Sequence, residues 1–259
     1  MFVDAHAHLD AYTDDEIDGV LAAIEQNRIL TVGVSVDAAS FARTESIAAR
    51  SSLVVPAFGV HPWEAPRHAD ALGDLGELAD RSPLIGEIGL DHRFVTDRTQ
   101  WPAQRRVFSH LLHLAREQDK LVNVHCVGGE HDTAETLLSH GIERAIIHWY
   151  SGPHDVLAEM IAAGFLFTVG VEVLHSDHIR GIARAIPDDQ LLTETDNPGG
   201  HRWLTGDTGN PSLISDVVAE LASTRATSRE EVLTTVRANM ARLFANDQHL
   251  TPWLDQLPR

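Results

Sequence analysis

Phe2-Val3-Asp4-Ala5-His6-Ala7-His8 is the stretch on which the fold is read. In a strand, residues two apart point to the same face, so His6 and His8 lie side by side with Asp4 below them. Two imidazoles placed this way grip one divalent metal from one side. An H-x-H pair alone is a weak sign. It gains weight only if further His, Asp or Glu residues end later strands.

Seven more strand-like apolar runs follow 2–5, at 29–36, 53–60, 84–90, 121–127, 145–150, 165–171 and 191–196. Between them lie amphipathic helical patterns at 14–27, 38–50, 69–80, 99–118, 132–140, 154–163 and 177–186, with two more at 211–224 and 229–245. Thr13-Asp14-Asp15-Glu16 and Ser228-Arg229-Glu230-Glu231 read as capping boxes. Gly141 and Gly164 fall where helices should stop. The strands are continuous Val/Ile/Leu runs, as expected of parallel strands buried on both faces. Eight strand-then-helix units in order predict an α/β fold, a (β/α)8 TIM barrel. No linker-like tract divides the chain, so residues 1–259 are expected to form one barrel domain. The stretch 198–211 reads as an irregular loop at the barrel rim.

Barrels of this kind carry their sites at the C-terminal ends of the strands. His6 and His8 end the first run, and His61 ends the third. Glu87 lies in the fourth, His125 and His148 near the ends of the fifth and sixth, and Asp196 ends the eighth. A carboxylate between Ile85 and Ile88 is costly unless it is paired or bound to metal. Four His, one Glu and one Asp exceed the needs of one ion, which suggests two ions sharing a carboxylate. A simple partition puts His6, His8, Glu87 and Asp196 around one ion and Glu87, His125 and His148 around the other. His with carboxylate suits Zn, Mn or Fe, whereas Mg favours oxygen-only ligands. A carboxylated lysine bridge is excluded. Lys120, the sole lysine, lies about 16 Å before His125 at ~3.3 Å per residue, at the wrong end of the barrel. Asp4 and Glu194 share the inward face of their strands and are read as orienting the ligands. Trp63, Trp149, Tyr150 and Trp203 follow site residues and are candidates for stacking on a ring.

The formal net charge of −18 argues against broad electrostatic attraction to nucleic acid. It leaves open a local site where metal ions supply the positive charge. No apolar run approaches the ~18 residues of a membrane span, so no membrane partner is expected. No signal-peptide pattern is present, and Cys126 is the only cysteine, which together predict a cytoplasmic setting. Cys126 neighbours His125 on its strand, points to the other face and reads as a core residue. The oligomeric state is not read from the sequence; a monomer suffices.

Asp4-Ala5-His6-Ala7-His8-Leu9-Asp10, Gly59-Val60-His61-Pro62, Gly86-Glu87-Ile88-Gly89-Leu90-Asp91, His125, His148-Trp149-Tyr150-Ser151-Gly152, Glu194-Thr195-Asp196-Asn197-Pro198 and Arg237-Ala238-Asn239-Met240-Ala241-Arg242-Leu243-Phe244 occur in this order. Together they resemble the TatD family of metal-dependent hydrolases over essentially the whole chain. The resemblance implies a TIM barrel of the metal-dependent hydrolase (amidohydrolase-like) type, a one- or two-metal site and hydrolysis of phosphodiester bonds in nucleic acid, DNA more than RNA, often as a 3′→5′ exonuclease. It carries the metal ligands onto His6, His8, Glu87, His125, His148 and Asp196. It carries a substrate-side histidine onto His61, which joins Asp196 and Glu87 as the expected catalytic residues.

The chain departs from the family pattern on the phosphate side. Cys126-Val127-Gly128-Gly129 stands where an Arg usually follows the fifth-strand histidine. His92-Arg93 stands where Tyr often follows the G-E-I-G-L-D block. Asn197-Pro198-Gly199-Gly200-His201-Arg202-Trp203-Leu204 replaces the usual segment after the aspartate. Arg93 and Arg202 are the replacement anion-binding candidates. These departures keep a second expectation alive, a metal-dependent hydrolase of a small-molecule ester, lactone or amide. A third, a non-catalytic subunit, fits the complete ligand set poorly.

Overall fold

Apolar runs too short for helices and buried on both faces can satisfy their backbones only by pairing with one another. In the computed structural model, which describes residues 1–257, they do so in sequence order. Pro258 and Arg259, the end of the expected domain, lie outside the described residues. The strands are β1 (Phe2–Ala7), β2 (Ile29–Gly33), β3 (Val54–Phe58), β4 (Leu84–Asp91), β5 (Val122–Val127), β6 (Ala145–Ile147), β7 (Leu166–Val169) and β8 (Leu191–Thr193). All are parallel, and each pairs with the next. β8 returns to β1 just beyond its last paired residue: Asp196 N–H donates to the His6 carbonyl at 3.0 Å and His8 N–H to the Asn197 carbonyl at 2.8 Å. The result is the nearly closed TIM barrel expected.

Helices cover the outside. The largest apolar cluster joins Val3, Leu30, Val55, Ile85, Val124, Ile147, Phe167 and Leu192 to the inner faces of helices such as Trp101–Glu117 and Arg229–Ala245. Each fully buried Leu or Phe of this kind stabilises the fold by about 1.5–3 kcal/mol. Both capping boxes form: Glu16 accepts from Thr13 N–H at 2.9 Å, and Ser228 and Glu231 bond each other's backbone N–H. Gly141 and Gly164 end their helices at φ 66° and 85°. Among the described residues no helix is long and apolar enough to cross a membrane.

Two expectations need correction. The single helix over 69–80 is broken into Ala65–His68, a 3-10 turn at Leu72–Leu75 and Gly76–Arg81. Gly73 and Gly76 each weaken a helix interior by about 1 kcal/mol, so the pattern cannot run through them. The irregular loop over 198–211 instead holds a short helix, Gly199–Thr205. Its first turn is tied down by Gly200 N–H donating to the Asp196 carbonyl at 2.7 Å. Two adjacent glycines conceal such a helix from a propensity reading.

Several strands stop earlier than expected at the same end. β6 ends at Ile147 and β8 at Thr193. The backbone turns left-handed at Trp149 (φ 40°) and Asp196 (φ 51°). His148 and Asp196 therefore sit on the lip of the barrel rather than inside it.

Candidate metal centre

The lip gathers all seven residues picked out as site candidates around Glu87. Its carboxylate oxygens face different groups. Oε2 lies 3.5 Å from His6 Nε2 and 3.2 Å from His8 Nε2, and these same nitrogens lie 3.6 and 3.4 Å from Asp196 Oδ1. Oε1 lies 2.8 Å from His125 Nδ1, 3.4 Å from His61 Nε2 and 3.6 Å from His148 Nε2. Within these clusters His6, His8 and Glu87 form one triad of donor atoms, His6, His148 and Asp196 a second, and His61, Glu87 and His125 a third. The six expected ligands are thus brought together. His61 stands among them instead of outside, and His148, stacked on His6 at 3.6 Å, borders both groups.

Backbone packing sets Glu87 in this place. A Cβ on Gly59 would lie 2.3 Å from the Glu87 carbonyl oxygen, and one on Gly89 would lie 1.9 Å from the His125 carbonyl oxygen. Only glycine lets β4 lie this close to both neighbours. β4 also shifts register against β5 between Ile85 and Ile88, which turns Glu87 into the barrel mouth.

A fixed partner orients most of the imidazoles. His6 Nδ1 donates to Asn123 Oδ1 at 2.9 Å, and Asn123 Nδ2 donates in turn to the Ala5 carbonyl. His148 Nδ1 donates to Glu194 Oε2 at 3.0 Å. With a proton on Nδ1, the Nε2 lone pair of each ring is free to face the centre. His125 is turned round: Nε2 bonds Asp91 Oδ2 at 3.3 Å and Nδ1 faces Glu87. His61 is the exception. Its Nδ1 accepts from Trp63 N–H at 3.2 Å, so the proton of the neutral ring sits on Nε2, toward Glu87. It meets the centre as a donor.

Glu194 thus orients a candidate ligand as expected. Asp4 does so at one remove, accepting from Thr195 N–H at 2.9 Å and from Thr195 Oγ1 at 2.6 Å. Asn123 and Asp91 were not singled out from the sequence as orienting residues. The signal was present: Asn123 is two before His125 and Asp91 four after Glu87, both on the inward face.

The charge balance favours a cation. Burial disfavours the His6 imidazolium, but Glu87, then Asp196 and Glu194, outweigh it and raise His6 to about 10. Burial is likewise outweighed at His125, which Asp91 and Glu87 raise to about 9. Burial would raise Glu87, yet the histidines around it, His61 and His6 foremost, hold its carboxyl well below the usual range. Burial lowers His61, and burial with neighbouring His6 holds His148 well below the ordinary imidazole value. Burial raises both Asp4 and Glu194 to about 7. His6 Nε2 and Glu87 Oε2 are buried atoms without a hydrogen-bond partner among the described residues. Buried polar atoms are rarely left so. A nitrogen-and-carboxylate set with unpartnered donors fits a divalent metal.

The remaining candidates separate. Lys120 is buried at the far end, donating to the Ala79 and Asp80 carbonyls, and plays no part here. Cys126 is a buried free thiol in the outer core. Tyr150 is buried with its hydroxyl on the Pro153 carbonyl, so it is not open to a ligand. Trp63, Trp149 and Trp203 ring the mouth. Arg93 is exposed over the Phe94 ring, and Arg202 is exposed and donates to Thr208.

Residues 3–245 match the family model described as TatD related DNase. The chain is 28% identical to human "Deoxyribonuclease TATDN3" over 96% of either chain. It is 28% identical to the "Uncharacterized metal-dependent hydrolase YcfH" of Escherichia coli K12, over 95% of this chain and 96% of that protein. The crystal structure of YJJV, a TatD homolog from Escherichia coli K12, superimposes with a TM-score of 0.85 at 24% identity, covering 94% of this chain and 98% of that one. A barrel with this centre, matched along nearly its whole length, belongs to the TatD-related DNase family.

Proposed function

We propose that this chain is a metal-dependent phosphodiesterase acting on nucleic acid, DNA more than RNA, at a centre of one or two divalent ions. The observation that carries the reading is the divided environment of Glu87: Oε2 faces His6 and His8, with Asp196 beside them, and Oε1 faces His61, His125 and His148. His6, His8, Glu87 and Asp196 would hold one ion, and Glu87, His125 and His148 the other. The imidazole content favours Zn, Mn or Fe over Mg. Bound ions of this kind lower the pKa of water and neutralise charge on phosphoryl oxygens. The preference for DNA follows the names carried by the curated relatives.

The protein's own groups supply the rest. Asp196, on the lip beside His6 and His8, accepts a proton from the attacking water. His61, with its proton on Nε2, donates to a phosphoryl oxygen or to the leaving oxygen. Asn123, Glu194 and Asp91 hold their imidazoles in one orientation, so little reorganisation is needed as charge develops. A cytoplasmic setting completes the reading, resting on the single buried thiol.

The test is metal analysis of the purified chain coupled to cleavage of single-stranded DNA, RNA and a simple phosphodiester. Chelation should abolish cleavage and Mn or Zn should restore it. Glu87→Ala and Asp196→Ala should lose it. Undiminished cleavage after chelation would falsify the reading. Cys126-Val127-Gly128 in place of the family's arginine favours one alternative, hydrolysis of an uncharged ester, lactone or amide. Turnover of those substrates without phosphodiester cleavage would establish it.

A further inference from the structure

Among the described residues four large apolar side chains are exposed, and three of them meet at the mouth of the metal centre. Trp63, Phe94 and Trp203 are 53%, 50% and 61% exposed. Trp63 and Phe94 lie edge to face at 6.2 Å, and Phe94 and Trp203 at 6.4 Å. Trp203 continues to Trp149 at 6.2 Å. The arc begins on His61, 4.7 Å from Trp63, and ends on His148, 6.2 Å from Trp149. It therefore spans the mouth from one site histidine to another.

The arc is held at both ends. Trp63 Nε1 donates to Asp91 Oδ2 at 2.7 Å, and Phe94 N–H donates to Asp91 Oδ1 at 2.8 Å. The carboxylate that orients His125 thus also holds half the arc. Trp149 Nε1 donates to Glu172 at 2.6 Å. Packing explains the anchored, partly buried Trp149. It does not explain why Phe94, after β4, and Trp203, in the helix Gly199–Thr205, leave half or more of their surface open beside a polar centre.

The two open rings share a second feature. Each follows an arginine, as Arg93-Phe94 after β4 and Arg202-Trp203 in the helix Gly199–Thr205. Both arginines are exposed, and neither has a carboxylate within 4.0 Å among the described residues. A chain of net charge −18 offers a polyanion little general attraction. Stacking, which needs no charge, and two local cations can replace it.

We infer that Phe94 and Trp203 form a base-stacking platform at the mouth, with Arg93 and Arg202 on the adjoining phosphates, that holds the bases of a strand beside the phosphate at the centre. This rests on the reading of the site as a nucleic-acid phosphodiesterase. In a duplex the base faces are already stacked on each other and cannot reach the rings. An unpaired end lays its bases on Phe94 and Trp203 and delivers the adjoining phosphate to the centre between His61 and His148.

The test is binding by the metal-free full chain, read as fluorescence anisotropy of labelled strands. The probes are a ten-nucleotide thymidine strand, the same backbone with abasic sites, and a blunt duplex. The wild-type chain should bind the thymidine strand at least tenfold more tightly than either other probe. Phe94→Ala and Trp203→Ala should each weaken it roughly tenfold, and Trp203→Tyr should recover most of the loss. Arg93→Gln and Arg202→Gln should each lower the salt dependence, the slope of log K against log salt falling by about 0.7. Equal binding of the thymidine and abasic strands, or alanine variants that bind like wild type, overturns the inference. A separate cleavage assay of the metal-loaded chain on both the thymidine and the abasic strands keeps the two readings apart. Base-dependent binding without any phosphodiester cleavage sinks the proposed activity and leaves the platform. Cleavage with no base dependence in binding does the reverse.

Discussion

The backbone of Glu87 runs so close to Gly59 that a Cβ on residue 59 would stand 2.3 Å from the Glu87 carbonyl oxygen and 2.4 Å from its nitrogen. Both partners are backbone, so no flexible side chain can yield. Gly59→Ala must displace Glu87, costing about 3 kcal/mol in overpacking and moving the carboxylate that faces both donor sets. Denaturant unfolding should show the lost stability, and isothermal titration with Mn or Zn should show weakened binding. A variant with wild-type stability and metal affinity would mean that β3 and β4 can separate without cost.

Asn123 reaches the centre only through His6. Asn123→Ala removes the acceptor for His6 Nδ1 and leaves the Ala5 carbonyl without its bond. Freeing the ring should cost roughly 10- to 100-fold in metal affinity or activity. The buried unpaired groups should cost about 1–3 kcal/mol of stability. Metal titration and a urea melt of the variant separate the two effects.

His61 and His6 lie equally near Glu87 but carry their protons on opposite nitrogens. His61→Ala should keep the wild-type metal content and lose about 10²–10⁴ in kcat, the range of a proton donor. His6→Ala should lose metal. Metal analysis of the two variants decides it: depletion in His61→Ala would make that residue a ligand after all.

The helix Arg229–Ala245 offers a clean pH test, far from the centre. Hydrogen bonds from Thr227 and Ser228 lower Glu231 to about 2, from an ordinary value of 4.5. A carboxyl depressed on folding stabilises the native state fully above its unfolded value and loses that contribution as pH falls toward the folded one. Wild type should therefore exceed Glu231→Gln in stability at pH 7. The difference should narrow from about pH 4.5 downward and vanish near pH 2. Urea melts of both proteins at pH 7 and at lower pH measure it.

The barrel was legible because parallel strands buried on both faces read as plain apolar runs, and eight alternated with helical patterns. The candidate ligands were legible for the same reason, since polar residues stand out inside such runs. The helix Gly199–Thr205 was not legible, because Gly199 and Gly200 mask it, although the bond that ties down its first turn, Gly200 N–H to the Asp196 carbonyl, is a local one. The break near Leu72–Leu75 was missed because periodicity outweighed two glycines.

By itself the sequence determined the order of strands, the end of the barrel where the polar residues gather and the identities of the seven that meet there. Strand periodicity and burial cost are local properties, carried by neighbours in the chain. Which nitrogen of His6, His148 and His125 faces Glu87 was decided only by tertiary structure, because Asn123, Glu194 and Asp91 come from other strands; at His61 the partner is local, the backbone of Trp63 two residues on. The same holds for the aromatic arc. Trp63, Phe94, Trp149 and Trp203 are scattered over 140 residues of sequence, and only the closing of β8 against β1 sets them around one mouth.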